Sequence, residues 1–267
     1  MTSLLSSHGP LPDAGRATLT WFAGWWRIIH FGALILVLAF SPSSYFGPNR
    51  SALARHVYED TAPILLWFVV LTSLISVVII RIVVVTAVSY GLSQYALEMV
   101  VRVLVLELIP LTAAVFAALR CALPNAAEIA DLRQRGEFDA LAQQGADPLQ
   151  REVLPRVVSS MFATLLLAGL SCVVTAVLAY VSVYGFTAGA LAGYTRTFGN
   201  VFNPAVSIIF SLKVFFFGLA VALIPIASVL YDRSRVRLRT SVELQSLVRI
   251  FVVILLIEVA SLVGNYY

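Results

Sequence analysis

The stretch 63–88, PILLWFVVLTSLISVVIIRIVVVTAV, decides the fold. It exceeds the roughly 20 apolar residues that a helix needs to cross a bilayer. It is also too long and too continuous for a buried strand, and its one charge is Arg81. Working outward, 97–119, 157–183 and 206–230 meet the same standard comfortably, and 246–264 is just long enough. Composition agrees: of 267 residues, 60% are hydrophobic and only 12% charged, about half the charged fraction of a soluble domain. The expected fold is an all-α integral membrane protein with five transmembrane helices.

Residues 21–40 read differently. Trp21, Phe22, Trp25 and Trp26 suit the headgroup layer, and Arg27 would be costly at the bilayer centre. The apolar remainder, Ile28 to Phe40, makes about 20 Å of helix, short of a crossing. Residues 1–62 are therefore expected to form an N-terminal tail with an interfacial or elbow helix, and 63–267 a five-span domain. A sixth span is the alternative. Residues 1–15 lack the basic and apolar regions of a cleaved signal peptide.

Loop charge orients the spans. The loop 120–156 carries Arg120, Arg133, Arg135, Arg151 and Arg156, and 231–245 carries Arg233, Arg235, Arg237 and Arg239. By contrast, 89–96 is uncharged and 184–205 has only Arg196. Arginine-rich loops stay in the cytoplasm, which places the N-terminus inside and Tyr267 outside. Within 120–156, Asn125 and Glu128 resemble a capping box that opens a short helix over 125–135, with Gly136 as its stop. Glu137 to Gln144 suits another short helix ended by Gly145, and Asp147-Pro148 reads as an N-cap with a first-turn proline.

The sequence holds no phosphate-binding loop, no H-E-x-x-H and no G-x-S-x-G. His8, His30 and His56 all precede the first span, and Cys121 and Cys172 have no metal spacing. No catalytic or metal-ligating residue is therefore expected. The net charge of +4 does not indicate nucleic acid, because Lys213 is the only lysine and no basic stripe carries interleaved aromatics. What remains is a set of charges inside or beside the spans, where they usually face a bundle interior or a wet cavity. Arg81 either snorkels outward or faces such a cavity. Glu98 and Arg102, four apart, are placed to neutralise each other. Lys213, near the outer end of the fourth span, is expected to snorkel. Glu107, just before the helix-distorting Pro110, and Glu258 are hardest to explain without a function, since carboxylates cannot snorkel far.

From Glu107-Leu108-Ile109-Pro110 the chain continues through Arg120, Ala127-Glu128-Ile129, Asp147-Pro148-Leu149 and Leu154-Pro155-Arg156. In order and spacing this resembles the permeases of MlaE type, the membrane subunits of ABC transporters that work with MCE proteins on lipids. A weaker echo lies at Ser211-Leu212-Lys213 and Phe217-Gly218. The chain is a divergent example: Ile109 stands for the usual Gly, Leu106 for an Arg, and 233–239 has no glycine.

The resemblance implies a permease dimer in the bacterial inner membrane, a dimer of cytoplasmic ABC ATPases that hold ATP and Mg, and a periplasmic MCE partner. The cargo would be phospholipid or another hydrophobic lipid. It makes 125–135 the coupling helix, with Asn125, Ala127, Glu128 and Ile129 followed by Asp131, Leu132, Arg133 and Arg135 as ATPase-facing candidates. Two copies would enclose a cavity built from the first, second and last spans. Ile75, Val78, Ile79 and Ile82 would line it, with Arg81 on the lipid phosphate. Glu107 and Glu258 would organise the helix interface, each paired with an arginine. The competing readings are a scaffold subunit that has lost transport and a transporter driven by an ion gradient.

Overall fold

The computed structural model describes residues 11–41, 48–92, 95–231 and 239–266, and among them every regular element is helical. The elements are α1 (Leu11–Phe40), α2 (Pro48–Ser89), α3 (Ala96–Gln134), α4 (Glu137–Gln143), α5 (Leu149–Tyr184), α6 (Leu191–Val201), α7 (Pro204–Tyr231) and α8 (Arg239–Tyr266). Five of these, α2, α3, α5, α7 and α8, are long and apolar enough to cross a membrane. The apolar part of α1 is shorter, Gly24–Phe40. It packs on α7 through Phe31 and Ile35, and a Cβ at Gly32 would stand only 3.1 Å from Leu223 Cδ1. The arginines at 233, 235 and 237 lie outside the described residues.

The helices bury themselves unequally. In α7, 67% of the most apolar segment is buried, against 22% in α2 and 17% in α8. The fourth span is therefore the centre of the protomer, and α2 and α8 turn wide apolar faces outward. Lipid tails are as apolar as leucine, so close packing rather than the hydrophobic effect holds such helices together. The contact between α2 and α5 shows this. Ile64, Phe68, Thr72, Ser76 and Ile80 form a buried row at every fourth residue of α2. Opposite them lie Thr164, Ala168, Ser171, Thr175 and Ala179 of α5, mostly small. The Ser76 and Thr175 hydroxyls meet at 2.9 Å across the seam.

Three π-helical stretches interrupt the ladders, and each ends two residues before a proline. Val101–Leu108 precedes Pro110, Ala118–Ala122 precedes Pro124, and Leu149–Val153 precedes Pro155. A proline within a helix offers no N–H to the carbonyl four residues back, and its ring crowds that carbonyl. Those carbonyls belong to Leu106, Arg120 and Arg151, all inside the widened turns. The π turns thus carry the chain past the prolines without breaking it.

This continuity overturns the expected capping box. The second span runs unbroken from Ala96 to Gln134, so Asn125 lies in mid-helix and caps nothing. The segment 125–135, expected to be a coupling helix, is an extension of the span rather than a separate helix on a loop. The stops behave as the sequence indicates. Gly136 and Gly145 flank α4 with φ of 76° at both positions, which suits residues without a Cβ. Asp147 Oδ1 accepts from the Leu149 amide at 2.9 Å, the expected N-cap of α5.

Candidate functional site

Lys213 is the centre of the candidate site. It stands nine residues into α7, Glu107 eleven residues into α3, and Glu258 eight residues from the end of α8. At 1.5 Å per residue, all three lie roughly 12–17 Å from the helix ends they share. The Lys213 ammonium pairs with Glu107 and stands 2.9 Å from Glu258 Oε2. It also donates to the Leu106 carbonyl at 3.0 Å and lies 5.8 Å from the centre of the Phe217 ring. Lys213 is 3% exposed and Glu258 8%. The sequence reading of Lys213 as a snorkelling residue is therefore wrong, and so is the expectation of arginine partners for the two glutamates. A buried lysine supplies both.

Pro110 explains why a backbone carbonyl is free to take part. In the π stretch the Ile109 N–H closes on Leu104 O. Pro110 has no N–H to give to Val105 or Leu106. Lys213 donates to Leu106 O, and the Cys172 thiol approaches Val105 O at 3.4 Å. The Glu-Leu-Ile-Pro motif thus does two things: it supplies the carboxylate and opens the helix beside it. The other Glu107 oxygen, Oε1, is buried with no hydrogen-bond partner. Fully ionised, the triad holds one positive and two negative charges in a setting where charge is expensive.

The arginine-rich end carries the second constellation. Asn125 is buried, and its amide donates to Asp60 Oδ2 at 2.7 Å and to Ser160 Oγ at 3.0 Å. Ser159 also donates to the Asp60 carboxylate. Arg156 is buried, donates to Glu152 O and Oε2 at 2.7 and 2.8 Å, and reaches Glu128 Oε2 at 3.4 Å. Arg133 Nη1 donates to the carbonyls of Leu230 and Val229 at 2.6 and 3.2 Å. Both carbonyls lie at the end of α7. A polar cleft of about 590 Å³ opens here, lined by Ser51, Arg55, His56, Glu59, Glu128 and Arg156.

The sequence-derived candidates separate accordingly. Asn125 and Ile129 are buried and face the bundle, and Arg133 ties the segment to α7. Glu128 and the Asp131–Arg135 pair (2.6 Å) remain on the surface, with Ala127 and Leu132 partly covered. Ile75, Val78 and Ile82 are exposed on α2, as is Arg81, while Ile79 is half-buried. Glu98 and Arg102 pair at 3.0 Å, as their spacing indicates. Among the described residues no group of three or more His, Cys, Asp or Glu is placed to hold a metal ion.

One feature escaped the sequence reading. Segment 184–205 contains α6, and an aromatic ladder runs from Tyr184 through Tyr194, Phe198 and Phe202 to Phe210. It borders an apolar cleft of about 460 Å³ against α5. The Tyr194 hydroxyl donates to Ala176 O at 2.7 Å, and burial pushes its phenol up to about 12, so it stays a donor. The spacing of Leu191, Tyr194, Phe198 and Phe202 carries the helical signal for α6.

A comparison with curated proteins gives no match. A protein-family model described as Permease MlaE matches residues 53–263. That range takes in nearly the whole of the five long apolar helices, with the Lys213 triad and Asp60, Asn125, Glu128 and Arg156 inside it. The chain belongs to the MlaE permease family and is a multi-pass ABC-transporter permease subunit.

Proposed function

We propose that this permease moves phospholipid, or another two-chain lipid, between the bacterial inner membrane and a periplasmic MCE protein. It would do so as a dimer driven by two copies of a separate ATPase chain that carries the ATP and Mg. The observation that carries this reading is the outward face of α2. Leu74, Val78 and Val85 are exposed along one stripe, and Arg81 stands exposed among them about 12 Å from the end of the helix. Among the described residues Arg81 makes no ion pair. A guanidinium on a lipid-facing stripe at that depth needs an anionic or polar partner. A lipid phosphate, in a cavity closed by a second copy, supplies one.

In this mechanism the acyl chains lie against Ile75, Val78, Ile79 and Ile82, and Arg81 takes the phosphate through its planar fork. The Lys213 triad locks α3, α7 and α8 together at mid-depth, so that α2 moves against a stiff unit. ATP-driven closure of the ATPases pushes on the Glu128–Arg135 surface, and the cavity narrows. Reconstitution of the purified complex with a fluorescent phospholipid tests this. The wild type should transfer lipid only with ATP, and Arg81→Ala should lower transfer about tenfold or more. Transfer that is unchanged in Arg81→Ala removes the phosphate role. A chain that brings down neither ATPase nor lipid is a scaffold.

A further inference from the structure

Asp60 lies three residues before Pro63, at the arginine-rich end of α2, and is the acceptor at a buried crossing of three helices. It receives the Asn125 amide of α3 at 2.7 Å and the Ser159 hydroxyl of α5. The same Asn125 amide reaches Ser160 of α5 at 3.0 Å, and Ser159 Oγ lies 3.1 Å from His56 O of α2. Asn125, Ser159 and Ser160 are all buried. Elsewhere α2 meets α5 through apolar and small residues and the Ser76–Thr175 hydroxyl pair, whereas here a carboxylate, an amide and two hydroxyls converge. A satisfied buried network fixes one geometry, and breaking one member leaves the others unmet.

Position gives the cluster a role. Beyond Asn125, α3 projects nine residues further to Gln134, roughly 14 Å of helix that carries the exposed Glu128 and Asp131. Arg133 pins the tip of that arm to α7, and Glu128 meets Arg156 of α5. The Asn125–Asp60 hydrogen bond and the 3.5 Å approach of Cys121 to the Asp60 carbonyl join the base of this arm to α2 through polar atoms. One turn on, Pro63 lacks the N–H that would close on the Glu59 carbonyl, which leaves α2 free to tilt there.

We infer that Asp60 is a positioning residue that couples movement of the α3 arm to tilting of α2, the helix bearing Arg81. This inference rests on the permease reading above. The test uses the full complex with its ATPase. Asp60→Ala should retain the ATPase and ATP hydrolysis while lipid moved per ATP falls roughly tenfold. The exchange Asp60→Asn with Asn125→Asp keeps every hydrogen bond satisfiable with its polarity reversed: the new amide nitrogen, standing where Oδ2 stands, can donate to the new carboxylate and to Ser159 Oγ, Ser159 keeps the His56 carbonyl as its acceptor, and Ser160 donates to the new carboxylate. It should restore transport per ATP to nearly the wild-type value.

Spin labels on Gln134→Cys and Val77→Cys, both at accessible positions while Cys121 and Cys172 are buried, give a readout independent of lipid. Their distance should change with vanadate-trapped nucleotide in the wild type and not in Asp60→Ala. The inference is overturned if Asp60→Ala leaves transport per ATP intact, if it loses ATPase and thermal stability together, if the exchange restores stability without transport, or if the distance change persists. A wild type whose labels move but which transfers no lipid refutes the lipid-permease reading and leaves this one standing.

Discussion

Removing the Lys213 ammonium leaves Glu107 and Glu258 facing each other in a largely buried setting. Breaking a buried ion pair from one side costs about 3–5 kcal/mol, most of it for the stranded charge. Lys213→Met should therefore lower the thermal stability of the detergent-purified protein severely. Adding Glu107→Gln and Glu258→Gln to Lys213→Met should recover much of the loss, because neutral amides cost less to bury than unpaired carboxylates. A triple variant as unstable as the single one would show that Lys213 acts through packing rather than charge. Arg133→Ala is a milder case at the same scale. It removes the donor to the Val229 and Leu230 carbonyls, and an exposed hydrogen bond of this kind contributes about 1 kcal/mol.

Among the elements, α3 concentrates the most consequence. Its two π stretches let one helix serve both as span and as the arm proposed to meet the ATPase, and Pro110 frees the carbonyl that Lys213 uses. Pro110→Ala supplies the missing N–H, which then competes with Lys213 for Leu106 O. The expected outcome is unchanged helical content by circular dichroism with reduced transport. A loss of helix would contradict the account given for the proline. The α2–α5 seam depends on small side chains more than on its hydroxyl pair. Ser76→Ala should cost only about 0.6 kcal/mol, the average for a hydrogen bond between membrane helices. Ser76→Leu places a bulky chain at a position with no exposed surface and should separate the helices, visible as a large fall in melting temperature.

For the whole molecule, burial among the five spans is uneven, which leaves the proposed second copy two faces to meet. α7 is enclosed by the others, while α2 and α8 keep apolar faces that none of the described residues covers. Native mass spectrometry of the purified complex should find two copies of this 29.0 kDa chain with bound phospholipid. A single copy per complex would remove the closed cavity. The five spans were legible in the sequence, because bilayer thickness demands a length of apolar chain that 63–88 and its fellows meet by composition alone. The positions of Gly136, Gly145 and Asp147 were legible as well, since a left-handed turn and an N-cap are local chemistry. The capping box at Asn125 was misread, because a local pattern could not show that π turns carry α3 past Pro124 and that a carboxylate 65 residues earlier claims the Asn125 amide. Lys213 was misread for the same physical reason. Its depth was present in the sequence, and antiparallel spans would have set Glu107 and Glu258 at the same level. Whether a lysine snorkels or is buried depends on which helices pack beside it. Sequence alone determined the solvent, the five long apolar spans and the local stops. Only tertiary packing decided which charges meet, because in a bilayer composition sets insertion while shape and polar pairing set the neighbours.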